Sequence, residues 1–253
     1  MAARLDGKVA LVTGSTSNIG KGVAIAMAAE GASVVVTGRD AGRAAHVVHL
    51  IEAAGGHAAF VAADLDGSAV RSAQLAADAA AVFGPVTVLV NNAGIYPPDG
   101  TLATHEDTFD RVFAVDVKAP FFLTAAVIPA MVEAGGGVII NLGSWIARLG
   151  IPAGAVYAAT KGALETLTRT WAAEFGAQGI RVNALSPGVV FDDPSDVPAG
   201  AAAAMATTPV GKPGTPADIA AAAVFLATDD AAFVHGTVFD IDGGRSNVFT
   251  TAR

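Results

Sequence analysis

The chain has 253 residues, no cysteine and a formal net charge of −8. That length suits one large α/β domain over 1–253; the missing thiols exclude disulfides, thiolate metal sites and a cysteine nucleophile, and the acidity argues against nucleic acid or an anionic membrane as partner. The mean hydropathy of +0.52 comes from abundant alanine and valine, no uninterrupted apolar run approaches the ~18 residues of a membrane span, and residues 1–8 lack the apolar segment of a signal peptide, so a soluble cytoplasmic protein is expected.

Val9–Val12 is a short apolar run leading into Thr13 and Gly14, and a helical stretch over 19–30 follows before Gly31. The unit then recurs. Residues 33–37 read as a strand, 40–54 as a helix, His57–Ala62 as a strand, 67–83 as a helix and 86–90 as a fully apolar strand. One long helix is predicted over 105–132, then a strand over 138–142, a helix over 155–176 and a sixth strand over 181–185. Regularity fades over 189–208, where Asp192, Asp193, Pro194, Pro198 and an alanine run suggest a substrate lid with one short helix. Pro216–Ala227 is a helix with Thr215 placed as its N-cap, and 237–241 completes seven strands. Strands alternating with helices in this way argue for a doubly wound α/β fold, a parallel sheet covered on both faces.

Tyr157 and Lys161 stand four apart on the 155–176 helix, so a hydroxyl and an ammonium can converge on one side of a cleft. A nearby cation favours phenolate over phenol, which ordinarily titrates near ~10, and so makes a tyrosine a more useful general base. Ser144 leaves the preceding strand, where its hydroxyl and that of Tyr157 can meet one substrate oxygen. This arrangement suits carbonyl or alcohol chemistry. A Tyr and a Lys four apart are also common as plain surface packing; the upstream serine, the glycine-rich turn 13–20 and the run Asn91, Asn92, Ala93, Gly94 give the catalytic reading its weight. In that turn, glycines admit a pyrophosphate close to the backbone and the helix N-terminus offers it free N–H groups. His46 and His49 could share a helix face but have no third ligand, and no metal site is expected.

Taken together, these residues resemble the short-chain dehydrogenase/reductase family from Lys8 to Gly244. The resemblance implies a single Rossmann-type domain in which Tyr157 is the acid/base, Ser144 polarises the substrate oxygen, and Lys161 acts on both the tyrosine and the nicotinamide ribose. Asp116 stands where the family's fourth catalytic residue, an asparagine, is usual. Cofactor contacts are implied from Gly14, Ser15, Asn18, Ile19 and Gly20, with Asn18 replacing a glycine at a position that needs positive φ. Asp64, with Leu65 beside it, would take the adenine amino group or else cap a helix; Asn91, Ala93 and Gly94 would pass under the ribose. Pro187, Gly188 and Val190 would pack on the nicotinamide, with Asp192 where threonine is common.

The end of the second strand decides cofactor preference in this family. Gly38 stands where NAD-preferring relatives carry an acidic residue; Arg39 offers a planar fork to a 2′-phosphate, Ser15 could add a hydroxyl, and Asp40 opens the next helix, so NADP(H) is expected rather than NAD(H). The substrate is expected to be a small carbonyl compound or alcohol, since 131–137 and 171–175 carry no positive charge to dock an acidic carrier protein. A homotetramer is expected from the resemblance and from the apolar stripe of Leu164, Leu167, Trp171 and Phe175 with Phe113, Phe121 and Phe122. The alternative is a non-catalytic dinucleotide-binding sensor of the same fold.

Overall fold

A computed structural model describes residues 3–152 and 154–248. Seven parallel strands form one sheet in the order β3-β2-β1-β4-β5-β6-β7: Val9–Val12, Ser33–Gly38, His57–Ala62, Val88–Asn91, Gly137–Leu142, Ile180–Pro187 and Val238–Ile241, numbered β1 to β7 along the chain. Among the described residues, eight α-helices run over Asn18–Ala29, Ala41–Ala53, Ala69–Phe83, Glu106–Phe113, Ala119–Glu133, Ala155–Phe175, Ala199–Ala206 and Pro216–Ala227, α1 to α8. The seven-stranded doubly wound architecture is the one expected. The fourth strand starts at Val88 rather than at residue 86.

Strand side chains alternate between two cores, as the two-residue period requires. Val34, Val36, Val88, Val90 and Ile140 pack toward α1, α2 and α8. Leu11, Val35, Leu89, Ile139 and Val182 point the other way, toward α3, α5 and α6. Because both faces are covered, the central strands read as apolar runs rather than alternating ones. β1 pairs with β2 on one side and with β4 on the other, so strand order reverses there and a crevice opens beyond the strands' carboxyl ends.

The long helix expected over 105–132 is a single rod from Glu106 to Glu133 with a widened turn in the middle. Pro120 has no N–H to give the carbonyl of Asp116 four residues back, and the chain opens into a π-turn over Ala114–Lys118. By length and composition alone this rod could cross a membrane, but half of its most apolar stretch is buried in the protein, with Leu123, Val127 and Met131 in the core.

Candidate active site

A cleft of about 470 Å³ lies over the carboxyl ends of the strands at the reversal point. Its floor begins at the turn after β1. Asn18 opens α1 at φ 43°, the positive φ that its place in the turn demands, and Ser17 as N-cap makes no side-chain capping bond, so the first N–H groups of the helix stay available. A Cβ on Gly20 would collide with the carbonyl of Gly14 and lie 2.5 Å from Asn92 Nδ2, which explains why the turn closes only with glycine there. Asn92 locks the turn to β4 by donating from Nδ2 to the carbonyls of Thr13 (2.8 Å) and Gly14 (3.2 Å). Asn92 belongs to the run Asn91, Asn92, Ala93, Gly94 but is not among the cofactor contacts that the resemblance implies.

Gly14, Asn18, Ile19, Gly20, Arg39, Asp64, Leu65, Ala93, Gly94, Pro187 and Gly188 line the cleft, together with Ser144, Tyr157 and Lys161. Three expected cofactor residues do not. Ser15 is fully buried; its hydroxyl donates to Val12 O (2.7 Å) and accepts from Thr37 N (2.9 Å), so it stitches β1 to β2 and has turned its back on the cleft. Asn91 is buried beneath the site, where Nδ2 donates to Asn141 Oδ1 and Thr124 Oγ1, which makes it a support between β4 and β5. Val190 is buried and bridges to Gly214, with its carbonyl 3.5 Å from Asn18 Nδ2. Thr16 and Ser17 line the cleft as well, Thr16 packed against Gly38.

Asp64 does not cap a helix, because Ser68 caps α3; instead it pairs with Arg111 at 3.0 Å, and Arg111 also donates to Leu65 O. Asp40 does cap α2, accepting from Arg43 N and pairing with the Arg43 guanidinium. Those bonds hold the Asp40 carboxyl below its ordinary range. Arg39 is exposed at the cleft wall and has no hydrogen bond or ion pair among the described residues.

At the other end, β5 delivers Ser144 and α6 delivers Tyr157 and Lys161. Ser144 Oγ accepts from Ile146 N at 3.4 Å, and Arg148, four residues on, pins this loop to Ser186, Asp240 and Glu165. Lys161 is 2% exposed; its ammonium donates to Leu142 O at 2.8 Å and lies 5.3 Å from the centroid of the Tyr157 ring. Asp116 lies under Lys161 and is fully buried. Its Oδ1 accepts from Ile95 N at 2.9 Å, a bond across 21 residues rather than a local helix bond, and Thr160 Oγ1 is 3.5 Å from Oδ2. Burial pushes the Asp116 carboxyl up, against the pull of Lys161 and the Ile95 N–H.

The cleft therefore has a phosphate-sized cradle of backbone at one end and a serine, tyrosine and lysine at the other. Both ends fit a dinucleotide laid across the switch point: the helix start and the tight Gly14 and Gly20 crossing would hold its pyrophosphate.

A family model described as Enoyl-(Acyl carrier protein) reductase matches residues 14–246. Galactitol 2-dehydrogenase (L-tagatose-forming) of Cereibacter sphaeroides is 40% identical over 248 residues, 95% of this chain and 96% of that protein. D-threitol dehydrogenase of Mycolicibacterium smegmatis is 39% identical, covering 95% of this chain and 94% of that protein. Among solved structures, a gluconate 5-dehydrogenase from Burkholderia cenocepacia in complex with NADP and tartrate superimposes with a TM-score of 0.90 at 32% identity, covering 98% of each chain.

Proposed function

The chain belongs to the short-chain dehydrogenase/reductase family of oxidoreductases, and on that premise we propose that it moves hydride between NADP(H) and the carbonyl or secondary alcohol of a small polar molecule. The observation that carries this reading is the convergence of Ser144, Tyr157 and Lys161 on one end of the cleft whose other end fits a pyrophosphate. Bound there, the nicotinamide supplies or accepts the hydride.

In the direction of oxidation, the Tyr157 oxygen takes the alcohol proton while Ser144 Oγ donates to the same substrate oxygen and fixes its position. Lys161, held by the Leu142 carbonyl, places its ammonium beside the Tyr157 ring at the reacting end of the cleft. In reduction the tyrosine returns the proton. Asp116 touches neither substrate nor cofactor in this reading; it positions Ile95 and the surroundings of Lys161.

The relatives that act on galactitol and threitol, and the NADP and tartrate held by the gluconate dehydrogenase, support a small polyhydroxylated substrate. A carrier-bound acyl chain is the less favoured substrate because Glu133 and Glu174 stand where an acidic carrier would need cations. We further propose a homotetramer, for which Phe121 at 43% exposure and Phe239 at 42% offer apolar contact on two separate faces; a monomer by light scattering at micromolar concentration would overturn that.

The deciding assay follows absorbance at 340 nm with NADP+ or NADPH against a panel of polyols, hydroxy ketones and simple alcohols. Turnover of at least one is the expected result. Tight cofactor binding with no turnover of any would favour the sensor instead.

A further inference from the structure

Tyr96 forms the outer wall of the cleft beside the reacting end, and it was absent from the sequence expectations. Its ring meets the Tyr157 ring edge to face, with centroids 5.0 Å apart and planes at 78°. The backbone on its N-terminal side is fixed, since Ile95 N donates to the buried Asp116 carboxyl. On the far side, Gly154 N–H lies within 3.2 Å of Asp99 O, and Gly154 itself leaves room for the ring: a Cβ there would sit 2.6 Å from Tyr96 Cε2. The ring thus meets Tyr157 on one side and Gly154 on the other, while 49% of the residue remains exposed and its hydroxyl has no hydrogen-bond partner among the described residues.

A phenol whose ring packs on Tyr157 and whose hydroxyl makes no bond within the described residues keeps that hydroxyl available to a ligand at the mouth of the cleft. Binding a substrate oxygen there exchanges a solvent hydrogen bond for one to the ligand, with the ring already placed by its contact with Tyr157. We propose that Tyr96 reads a second oxygen of the substrate, so that the enzyme selects secondary alcohols and ketones carrying a neighbouring hydroxyl over otherwise identical mono-oxygenated compounds. This rests on the dehydrogenase reading above and names its substrate class. Tyr157 handles the reacting oxygen, and Tyr96 hydrogen-bonds the neighbouring one.

The test is Tyr96→Phe, which keeps the ring and its contact with Tyr157 while deleting the hydroxyl. The quantity measured is the ratio of kcat/KM for 2,3-butanediol to that for 2-butanol, in which any general effect on the Tyr157 step cancels. One net hydrogen bond predicts a wild-type ratio that falls about five-fold in the variant. An unchanged ratio overturns the proposal, and so does a wild-type enzyme that does not favour the diol. A second reading needs no turnover: apparent affinities of the two alcohols for the enzyme with NADP+, from the concentration dependence of thermal stabilisation. If wild type oxidises neither alcohol, the dehydrogenase reading fails for this class. Diol selectivity in binding that Tyr96→Phe abolishes would still support Tyr96, and its absence would overturn the assignment.

Discussion

Asp116 and Lys161 face each other across a hollow above Gly94: a Cβ on Gly94 would stand 3.2 Å from Asp116 Oδ2 and 3.3 Å from Lys161 Nζ. Only a glycine leaves that space open. A buried carboxylate at this point lies against the same lysine ammonium that stands beside the Tyr157 ring. Exchanging it for a neutral amide keeps the acceptor for Ile95 N–H and removes the competing negative charge. Asp116→Asn is expected to lower the pH at which alcohol oxidation is half-maximal. A midpoint that stays put or rises in the pH profile of kcat/KM would reject the competition argument.

The same substitution should act on stability, and its sign follows from burial. Asp116 has its carboxyl pushed above the ordinary value in the folded chain, so the folded protein holds that proton more tightly than the unfolded one. Stability therefore declines as pH rises from about 4, the unfolded value, through the folded one, and the penalty is fully present above that. Asp116→Asn removes the penalty and is expected to raise Tm near neutral pH by more than it does near pH 4. Thermal scans at the two pH values check this; an equal change at both would show that ionisation of Asp116 is not involved.

Tyr157→Phe should leave cofactor affinity nearly intact and lower kcat by ~10²–10⁴-fold, the range that positioned acid/base catalysis supplies. Cofactor binding by fluorescence and turnover at saturating substrate separate the two effects. Activity within tenfold of wild type would mean that another group carries the proton.

The alternation of strands and helices, the turn 13–20 and the trio Ser144, Tyr157 and Lys161 were legible in the sequence because each depends on neighbours in the chain. What escaped was direction and distance. Residue type alone cannot tell that Ser15 faces Thr37 while Thr16 faces Gly38, since both follow from the turn's path. Nor does anything local tie Asp116 to Ile95, or Tyr96 to Gly154. Those pairings exist only once β4, the π-turn and α6 have been brought together.

Residues 189–208, proposed as the lid, begin under a two-point attachment to α1. Lys21 pairs with Asp192 at 2.9 Å, and Asn18 Nδ2 reaches the Val190 carbonyl. Both Asn18 and Asp192 depart from the family's usual residues, and each serves this attachment of the segment to α1. The ion pair is partly exposed, so it should matter little to folding stability. Its effect should appear in cofactor exchange: Asp192→Ala is expected to speed NADPH release several-fold at low salt, with the difference shrinking as ionic strength rises. Stopped-flow displacement measures this, and an identical release rate at low salt would dismiss the attachment as a gate.

Cofactor preference turns on which cations at the end of β2 are uncommitted. Arg43 and Asp40 also line the cleft, but Arg43 gives its Nε to Asp40, and Asp40 caps α2 by accepting from Arg43 N. Arg39 is left with its guanidinium unpaired on the cleft wall, beside Gly38, which carries no carboxylate to bind ribose hydroxyls or repel a phosphate. With Ser15 turned inward, Arg39 is the cation on this wall with no partner among the described residues to give up, and its fork can donate two charged contacts to a 2′-phosphate. Charge-assisted bonds are worth about 1.5–3 kcal/mol each, so two made only with the phosphate imply at least ~100-fold preference for NADPH over NADH in kcat/KM. Arg39→Ala should erase most of that preference while changing NADH kinetics little. Ser15→Ala should do the converse, lowering Tm through the lost β1 to β2 bonds and leaving the preference intact. If the wild-type protein uses NADH as well as NADPH, or if Ser15→Ala shifts the preference as far as Arg39→Ala does, phosphate recognition by Arg39 is the wrong assignment.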